Sequence, residues 1–192
     1  FPTDTTKYFV LVTLGGGCFA LDSVTVNVNI PFVNAGADTS ICFGDSIQLN
    51  GSSSIGTTNW TPSIGLSNDA ILNPFASPIV TTEYVLAVID GFGCRMTDTM
   101  DLNIDQAFTL STNNDTTICL GDCANLSAFG ATTYAWEPVV NDSTLSNPTA
   151  CPTITETYFV YGANGSCRDT AEIQVSVNLL TTVDAGLDVS IC

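Results

Sequence analysis

The 192-residue chain has no histidine and only three basic residues, Lys7, Arg95 and Arg168. Each shortage closes off a class of function. Without an imidazole, and with a single lysine, a nucleophile–base pair of the Ser-His-Asp kind cannot be assembled. Three cations against 19 acids leave a formal charge of -16, so a phosphate backbone is repelled and nucleic acid is not a partner. No apolar run approaches the length of a membrane span, and none is expected in this segment. No charged leader precedes an apolar stretch, which reads as the absence of a signal peptide and points to a piece of a longer chain. Of the carboxylates, Asp98 and Asp101 are expected on a solvated strand face rather than as an acid–base pair. The expectation is that the chain is not an enzyme and needs no cofactor.

What is present favours strands. Apolar residues make up 45% of the chain, enough for a core and too many for disorder. The polar residues are mostly Thr, Ser and Asn, which with Val and Ile suit strands and turns. Almost no helix is expected. Eight cysteines occur with no histidine and no close Cys-x-x-Cys pair, a pattern of disulfides rather than of zinc or redox sites. An extracellular or cell-surface location follows.

The sequence repeats. DTSICFGD at 38–45 returns as DTTICLGD at 115–122, and DVSIC closes the chain. Cys42 to Cys119 is a step of 77 residues and Cys119 to Cys192 one of 73; Trp60 to Trp136, Tyr8 to Tyr84 and Cys18 to Cys94 are each 76 apart. A period this long is one small domain per repeat rather than a solenoid rung. The frame is 1–30 as the C-terminal strands of one repeat, 31–105 and 106–178 as complete repeats, and 179–192 as the first strand of another. Within a repeat, residues 46–50 alternate, 58–61 carry a tryptophan, 83–89 are nearly continuous apolar strand, 90–93 form a turn, and 97–104 alternate with period 2. About seven strands around a tryptophan, with a tyrosine opening the penultimate strand, predict an all-β immunoglobulin-like sandwich, in tandem and in an elongated array. Trp60, Trp136, Tyr84 and Tyr158 are its expected core.

Ala35-Gly36-Ala37-Asp38, Trp60-Thr61-Pro62, Leu66-Ser67-Asn68, Asn73-Pro74, Thr82-Glu83-Tyr84 and Gly93-Cys94 carry a family likeness, and the second repeat keeps Trp136-Glu137-Pro138, Leu145-Ser146-Asn147, Thr155-Glu156-Thr157-Tyr158 and Ser166-Cys167. It departs at its entrance, where Leu110-Ser111-Thr112-Asn113 replaces the Ala-Gly turn. Over the whole chain this pattern resembles the PKD-like and Ig-like repeats of large secreted Bacteroidota surface adhesins associated with gliding motility and type IX secretion. The resemblance implies architecture and cell-surface location, and leaves the role open between spacer and binder.

The cysteines fall into classes. Cys42, Cys119 and Cys192 end a first strand; Cys18, Cys94 and Cys167 sit in the turn before a last strand. In such a sandwich the first strand runs parallel to the last, so Cys42 and Cys94 lie at opposite poles. About seven residues at roughly 3.3 Å each put more than ~20 Å between them, whereas a disulfide needs Cα atoms within about 7 Å. The expected bond is Cys42–Cys167, across repeats, with Cys18, Cys94, Cys119 and Cys192 paired to neighbouring repeats beyond this segment. Cys123 and Cys151 stand where the other repeat has Ser46 and Ser77, on turns at one pole, and an in-repeat Cys123–Cys151 bond is expected.

Asp38, Asp45, Asp90, Asp184 and Asp188 lie near junctions and turns and are the weak candidates for calcium, although no Asp-x-Asp-x-Asp-Gly loop occurs; capping turns is the plainer role. Asp22-Ser23-Val24, Asp98-Thr99-Met100 and Asp169-Thr170-Ala171 are expected at one place in successive repeats and resemble the O-glycan acceptor pattern of Bacteroidota, with Ser23, Thr99 and Thr170 as acceptors. The function expected is structural, a stalk segment whose partners are neighbouring repeats. The alternative is a carbohydrate- or surface-binding module using the loops at the poles of the sandwich, with surface glycans as partners.

Overall fold

The structure, a computed structural model, describes residues 2–54, 56–179, 183, 184, 186, 188 and 190, with no α-helix among them. Two compact units divide the chain: Phe1–Thr39 with Ser46–Asn103, and Ser40–Asp45 with Ile104–Cys192. The first begins with a hairpin of β1 (Thr6–Thr13) and β2 (Phe19–Val26), antiparallel from Thr6 opposite Val26 to Thr13 opposite Phe19. There follow β3 (Val33–Asn34), β4 (Thr39–Cys42), β5 (Ile47–Gln48), β6 (Ser52–Ser53), β7 (Thr57–Thr61), β8 (Phe75–Ala76), β9 (Thr82–Ile89) and β10 (Arg95–Asp105). A four-stranded sheet has the order β4-β10-β9-β7, and the pairs β3–β6 and β5–β8 form the other layer. The boundary between the units runs through β4 and β10.

The second unit repeats this plan. Its strands are β11 (Ser111–Thr112), β12 (Thr116–Cys119), β13 (Ala124–Asn125), β14 (Ala128–Phe129), β15 (Thr133–Glu137), β16 (Thr149–Ala150), β17 (Glu156–Asn164) and β18 (Cys167–Asn178). The large sheet is β12-β18-β17-β15, opposite β11–β14 and β13–β16. First and last strands pair in parallel, from Thr116 opposite Val175 to Cys119 opposite Asn178.

Period-2 alternation decides which side chains form each core. In β9, Tyr84, Leu86 and Val88 are fully buried; across the hairpin Met100 and Leu102 join them on β10. Trp60 on β7 meets the Tyr84 ring edge-on at 6.4 Å between centroids, a favoured aromatic geometry. Its indole N–H donates to the Leu72 carbonyl at 3.2 Å, so no polar atom is left without a partner. Trp136 does the same with the Leu145 carbonyl at 3.0 Å, inside a core that draws Ala124, Leu126, Ala128 and Ala150 from one layer and Trp136, Tyr158, Val160, Ile173 and Val175 from the other. Gly51 is fixed by this packing, since a Cβ there would sit 2.8 Å from the Leu72 carbonyl oxygen and 3.1 Å from the Trp60 ring. The two tyrosines differ at their hydroxyls. Tyr84 donates to the Ile64 carbonyl at 2.8 Å, whereas Tyr158 donates to Glu156 at 3.3 Å. Burial, then the Glu156 charge and hydrogen bond, push the Tyr158 phenol up to about 12.

Carboxylates lock the first strand onto the last in both units. The Ala35 N–H donates to Asp98 and the Asp101 N–H to Asp38, each at 2.8 Å; the Leu110 N–H donates to Asp169 and the Gln174 N–H to Asp115, again at 2.8 Å. Asp98 therefore departs from the solvated face expected of it: the chain entering the unit passes over that point of β10, and the half-buried carboxylate takes up an amide that would otherwise lack a partner. Asp101 is exposed as expected.

The N–H groups of Leu110 and Thr170 hold the Asp169 carboxyl below the usual carboxylate range. A lowered folded-state value means stability that is fully present above the unfolded value and lost as the pH falls through the folded one. Asp169→Asn keeps an acceptor oxygen but cannot titrate. The substituted protein should lose less stability than the parent between about pH 5 and pH 2, as read by urea unfolding at successive pH values; parallel curves for the two proteins would contradict the role given to Asp169.

Candidate functional site

The repeated Ile-Cys-x-Gly-Asp phrase is a turn. After β4 the Asp45 N–H donates to the Cys42 carbonyl at 3.0 Å, and after β12 the Asp122 N–H donates to the Cys119 carbonyl at the same distance. The third residue of the four-residue turn that starts at the cysteine, Gly44 or Gly121, has φ of +95° or +100°, the left-handed region that this turn position demands and only glycine enters freely. The motif thus presents a cysteine at the end of a first strand, just before the chain reverses.

Residues 40–45 belong to the second compact unit, and there Cys42 is bonded to Cys167, with Cα atoms 4.7 Å apart and 125 residues between them in sequence. Cys167 is buried at the start of β18. Asp105 completes the cluster: its backbone carbonyl accepts the Phe43 N–H at 2.9 Å, and its carboxylate accepts the Ser166 N–H at 2.7 Å. That amide holds the Asp105 carboxyl below its ordinary range. The second disulfide, Cys123–Cys151, has Cα atoms 4.2 Å apart and flanks the β13–β16 pair, where Ala124 stands opposite Ala150. Cys18 and Cys119 are exposed free thiols, and Cys94 is a half-buried one. Cys192 lies outside the described residues.

The calcium candidates are not brought together. Asp38 accepts the Asp101 amide. Asp90 is buried and accepts the N–H groups of Phe92 and Cys94, each at 2.9 Å, and the Asn29 side-chain amide. Burial raises its carboxyl, but the amide donors led by Cys94 outweigh that and leave it lowered. Asp184 accepts the Gly186 N–H at 2.8 Å, and Asp45 and Asp188 are exposed. Among the described residues no three His, Cys, Asp or Glu side chains converge on a metal position.

Ser23, Thr99 and Thr170 are all exposed, but their triplets are not in one place. Asp22 and Asp98 stand four residues after Cys18 and Cys94, whereas Asp169 stands two after Cys167. In the hairpin registers Thr99 faces Val85 and Thr170 faces Tyr161, so the third triplet is one strand period nearer its turn. Asn29 and Asp105 carry no motif and escaped the sequence reading. Their separation of 76 residues, the repeat step, was the available signal.

No family model matches the chain, and neither does any curated protein. Solved structures do. Extracellular domains 3-5 of Drosophila OTK superpose with a TM-score of 0.51 at 9% identity, over 91% of this chain and 71% of that one. Sidekick-1 immunoglobulin domains 1-5 give 0.38 at 13% identity, over 92% and 46%. The insect immune protein hemolin gives 0.38 at 12%, over 90% and 56%. The chain has a tandem immunoglobulin-like fold. The likeness extends to architecture and not to the sequence signals of any one family.

The first unit builds the β5–β8 pair with Ser46 and Ser77 and no bond, so the Cys123–Cys151 bond adds stability to a fold that forms without it. Replacing both cysteines by serine should leave the far-ultraviolet circular dichroism unchanged and lower stability by about 2–4 kcal/mol, the usual worth of a disulfide closing a loop of this length. Loss of the folded state would contradict that reading.

Proposed function

We propose that the chain is a structural segment of an extracellular filament or adhesin stalk, made of immunoglobulin-like repeats fastened in series by disulfides. The observation that carries this reading is the Cys42–Cys167 bond, which joins the first-strand end of the repeat 31–105 to the last-hairpin turn of the repeat 106–178. Cys119 and Cys192 hold the first position in their repeats, and Cys18 and Cys94 hold the second. The same bond with neighbouring repeats gives each of them a partner. A bond at every junction removes a hinge, and a stalk needs stiffness more than it needs any one loop sequence. Two disulfides also call for an oxidising compartment.

The finer identity rests on the motif likeness to PKD-like repeats of Bacteroidota surface adhesins of the gliding and type IX secretion kind. In that setting the exposed Ser23, Thr99 and Thr170 are O-glycan acceptors. The segment has no catalytic role in this reading; its partners are neighbouring repeats. A glycan-binding module would need an aromatic platform that recurs at the loop pole, and the exposed Phe129 of β14 has Ser53 as its counterpart on β6. The structural role is therefore preferred.

Immunogold labelling of intact source cells, with antibodies raised against residues 31–178, tests the assignment. Gold should decorate surface filaments without permeabilisation. Labelling that appears only after permeabilisation would contradict it.

A further inference from the structure

Among the described residues, nothing covers the apolar face of the β1–β2 hairpin that carries Tyr8, Val10, Val12, Val24 and Val26. Stepping 76 residues along the chain, Tyr8, Val10 and Val12 correspond to Tyr84, Leu86 and Val88, and Val24 and Val26 to Met100 and Leu102. The register agrees, since Tyr8 stands opposite Val24 as Tyr84 stands opposite Met100. In the complete unit none of those five is more than 3% exposed, whereas the hairpin residues are 39–61% exposed. What covers Tyr84 and Leu86 in the complete unit is the strand set from β3 to β8. Asp22 repeats the point. Its equivalent, Asp98, accepts the Ala35 N–H from the entering chain, whereas Asp22 accepts the neighbouring Ser23 N–H at 2.7 Å.

A second observation lies in the same compact unit. Asn29, Ile30, Ser54, Asp90, Gly91 and Phe92 line an open cleft of about 480 Å³, and Asp90 holds the Cys94 amide at its edge. Asn29 is the repeat equivalent of Asp105, and Cys94 that of Cys167. In the second unit that pair receives the Ile41–Asp45 turn, through the Phe43 N–H and the Cys42 sulfur. The cleft beside Cys94 is thus the counterpart of a seat that is filled in the second unit.

We propose that the hairpin face and this cleft form one docking surface, and that its occupant is a strand set of this same repeat type, whose first strand ends in Ile-Cys-x-Gly-Asp and whose cysteine bonds to Cys94. The inference rests on the repeat-to-repeat bonding proposed above and adds what the partner must contain: apolar strands to cover Tyr8, Val10, Val12, Val24 and Val26, a backbone N–H for Asp22, and a cysteine turn for the cleft. Bond formation is an oxidation. The two thiols together lose two protons and two electrons, and a small-molecule disulfide such as oxidised glutathione accepts them to become two thiols.

The test supplies the strand set in trans. A ¹⁵N-labelled polypeptide of residues 31–81, whose single cysteine is Cys42, is mixed with the full chain in a glutathione redox buffer and the products are mapped without reduction. A one-to-one adduct joining probe Cys42 to Cys94 is expected. Its formation should slow by at least about tenfold in Val10→Asp, the effect of losing one buried valine, while the reaction of Cys94 with oxidised glutathione alone stays unchanged. In Cys94→Ser the probe should still slow amide exchange in residues 6–26, by about tenfold or more if the face is covered. Adduct formation indifferent to Val10→Asp, bonding at Cys18 or Cys119 instead, or unaltered exchange would each overturn the proposal. The same map reports the Cys42–Cys167 peptide of the full chain. Its presence without an adduct defeats this inference alone, and its absence defeats the repeat-to-repeat bond beneath it.

Discussion

The disulfide from Cys42 to Cys167 closes a loop of 125 residues, and closure on that scale matters because domains of this size have little stability in reserve. A repeat of about 75 residues buries only around 60% of the surface its unfolded chain would expose. Chain-entropy reasoning assigns a loop this long about 5 kcal/mol, comparable with the whole folding free energy of a small domain. The bond also draws residues 40–45, which by sequence end the first strand of one repeat, into the compact unit that contains the next. Asp105 supports it from two directions, with its carbonyl on Phe43 and its carboxylate on Ser166.

Beneath the disulfides, each unit solves one packing problem in one way. A tryptophan on β7 or β15 fills the space between the layers and finds a carbonyl for its N–H; a tyrosine on β9 or β17 supplies the second large side chain. In the second unit the hydrogen-bonding edge of the last strand is covered by β12 running parallel to it, which removes an exposed ladder on that side. Carboxylates then pin the entering chain, from Asp98 and Asp38 in one unit and from Asp169 and Asp115 in the other. The excess of acids, a formal charge of -16, makes neighbouring copies of the chain repel one another.

Much of this was legible in the residues, and the limits are physical. Period-2 alternation marks the strand around Met100 and its buried face, because burial on one face leaves that signature, whereas the strand around Tyr84 is marked by its nearly continuous apolar run. The two-residue strands Val33–Asn34 and Ser52–Ser53 carry too few residues for any period. Strand length and direction place Cys94 too far from Cys42 for an in-repeat bond, since both follow from the sandwich itself. Alternation says which face a residue is on and not what passes above it, so Asp98 read as solvated until the entering chain appeared over it. The Asp-Ser/Thr triplets looked equivalent because they match as strings. Counting from the preceding cysteine shows Asp169 two residues out of step with Asp98, and only hairpin register assigns that difference a place in space. Asn29 and Asp105 were missed because a residue that acts largely through its position at a junction has no composition signal.

Pulling the oxidised chain from its two ends in a single-molecule instrument, and repeating the pull after reduction, bears most directly on the covalent closure. With Cys42 bonded to Cys167, the 125-residue separation between them is hidden from the applied force. Reduction should lengthen the fully unfolded chain by roughly 400–450 Å, at about 3.3–3.6 Å per residue. A gain of only roughly 90–100 Å, the 28-residue separation of Cys123 and Cys151 alone, would mean that Cys42 and Cys167 are not joined, and the stapled array would have no basis.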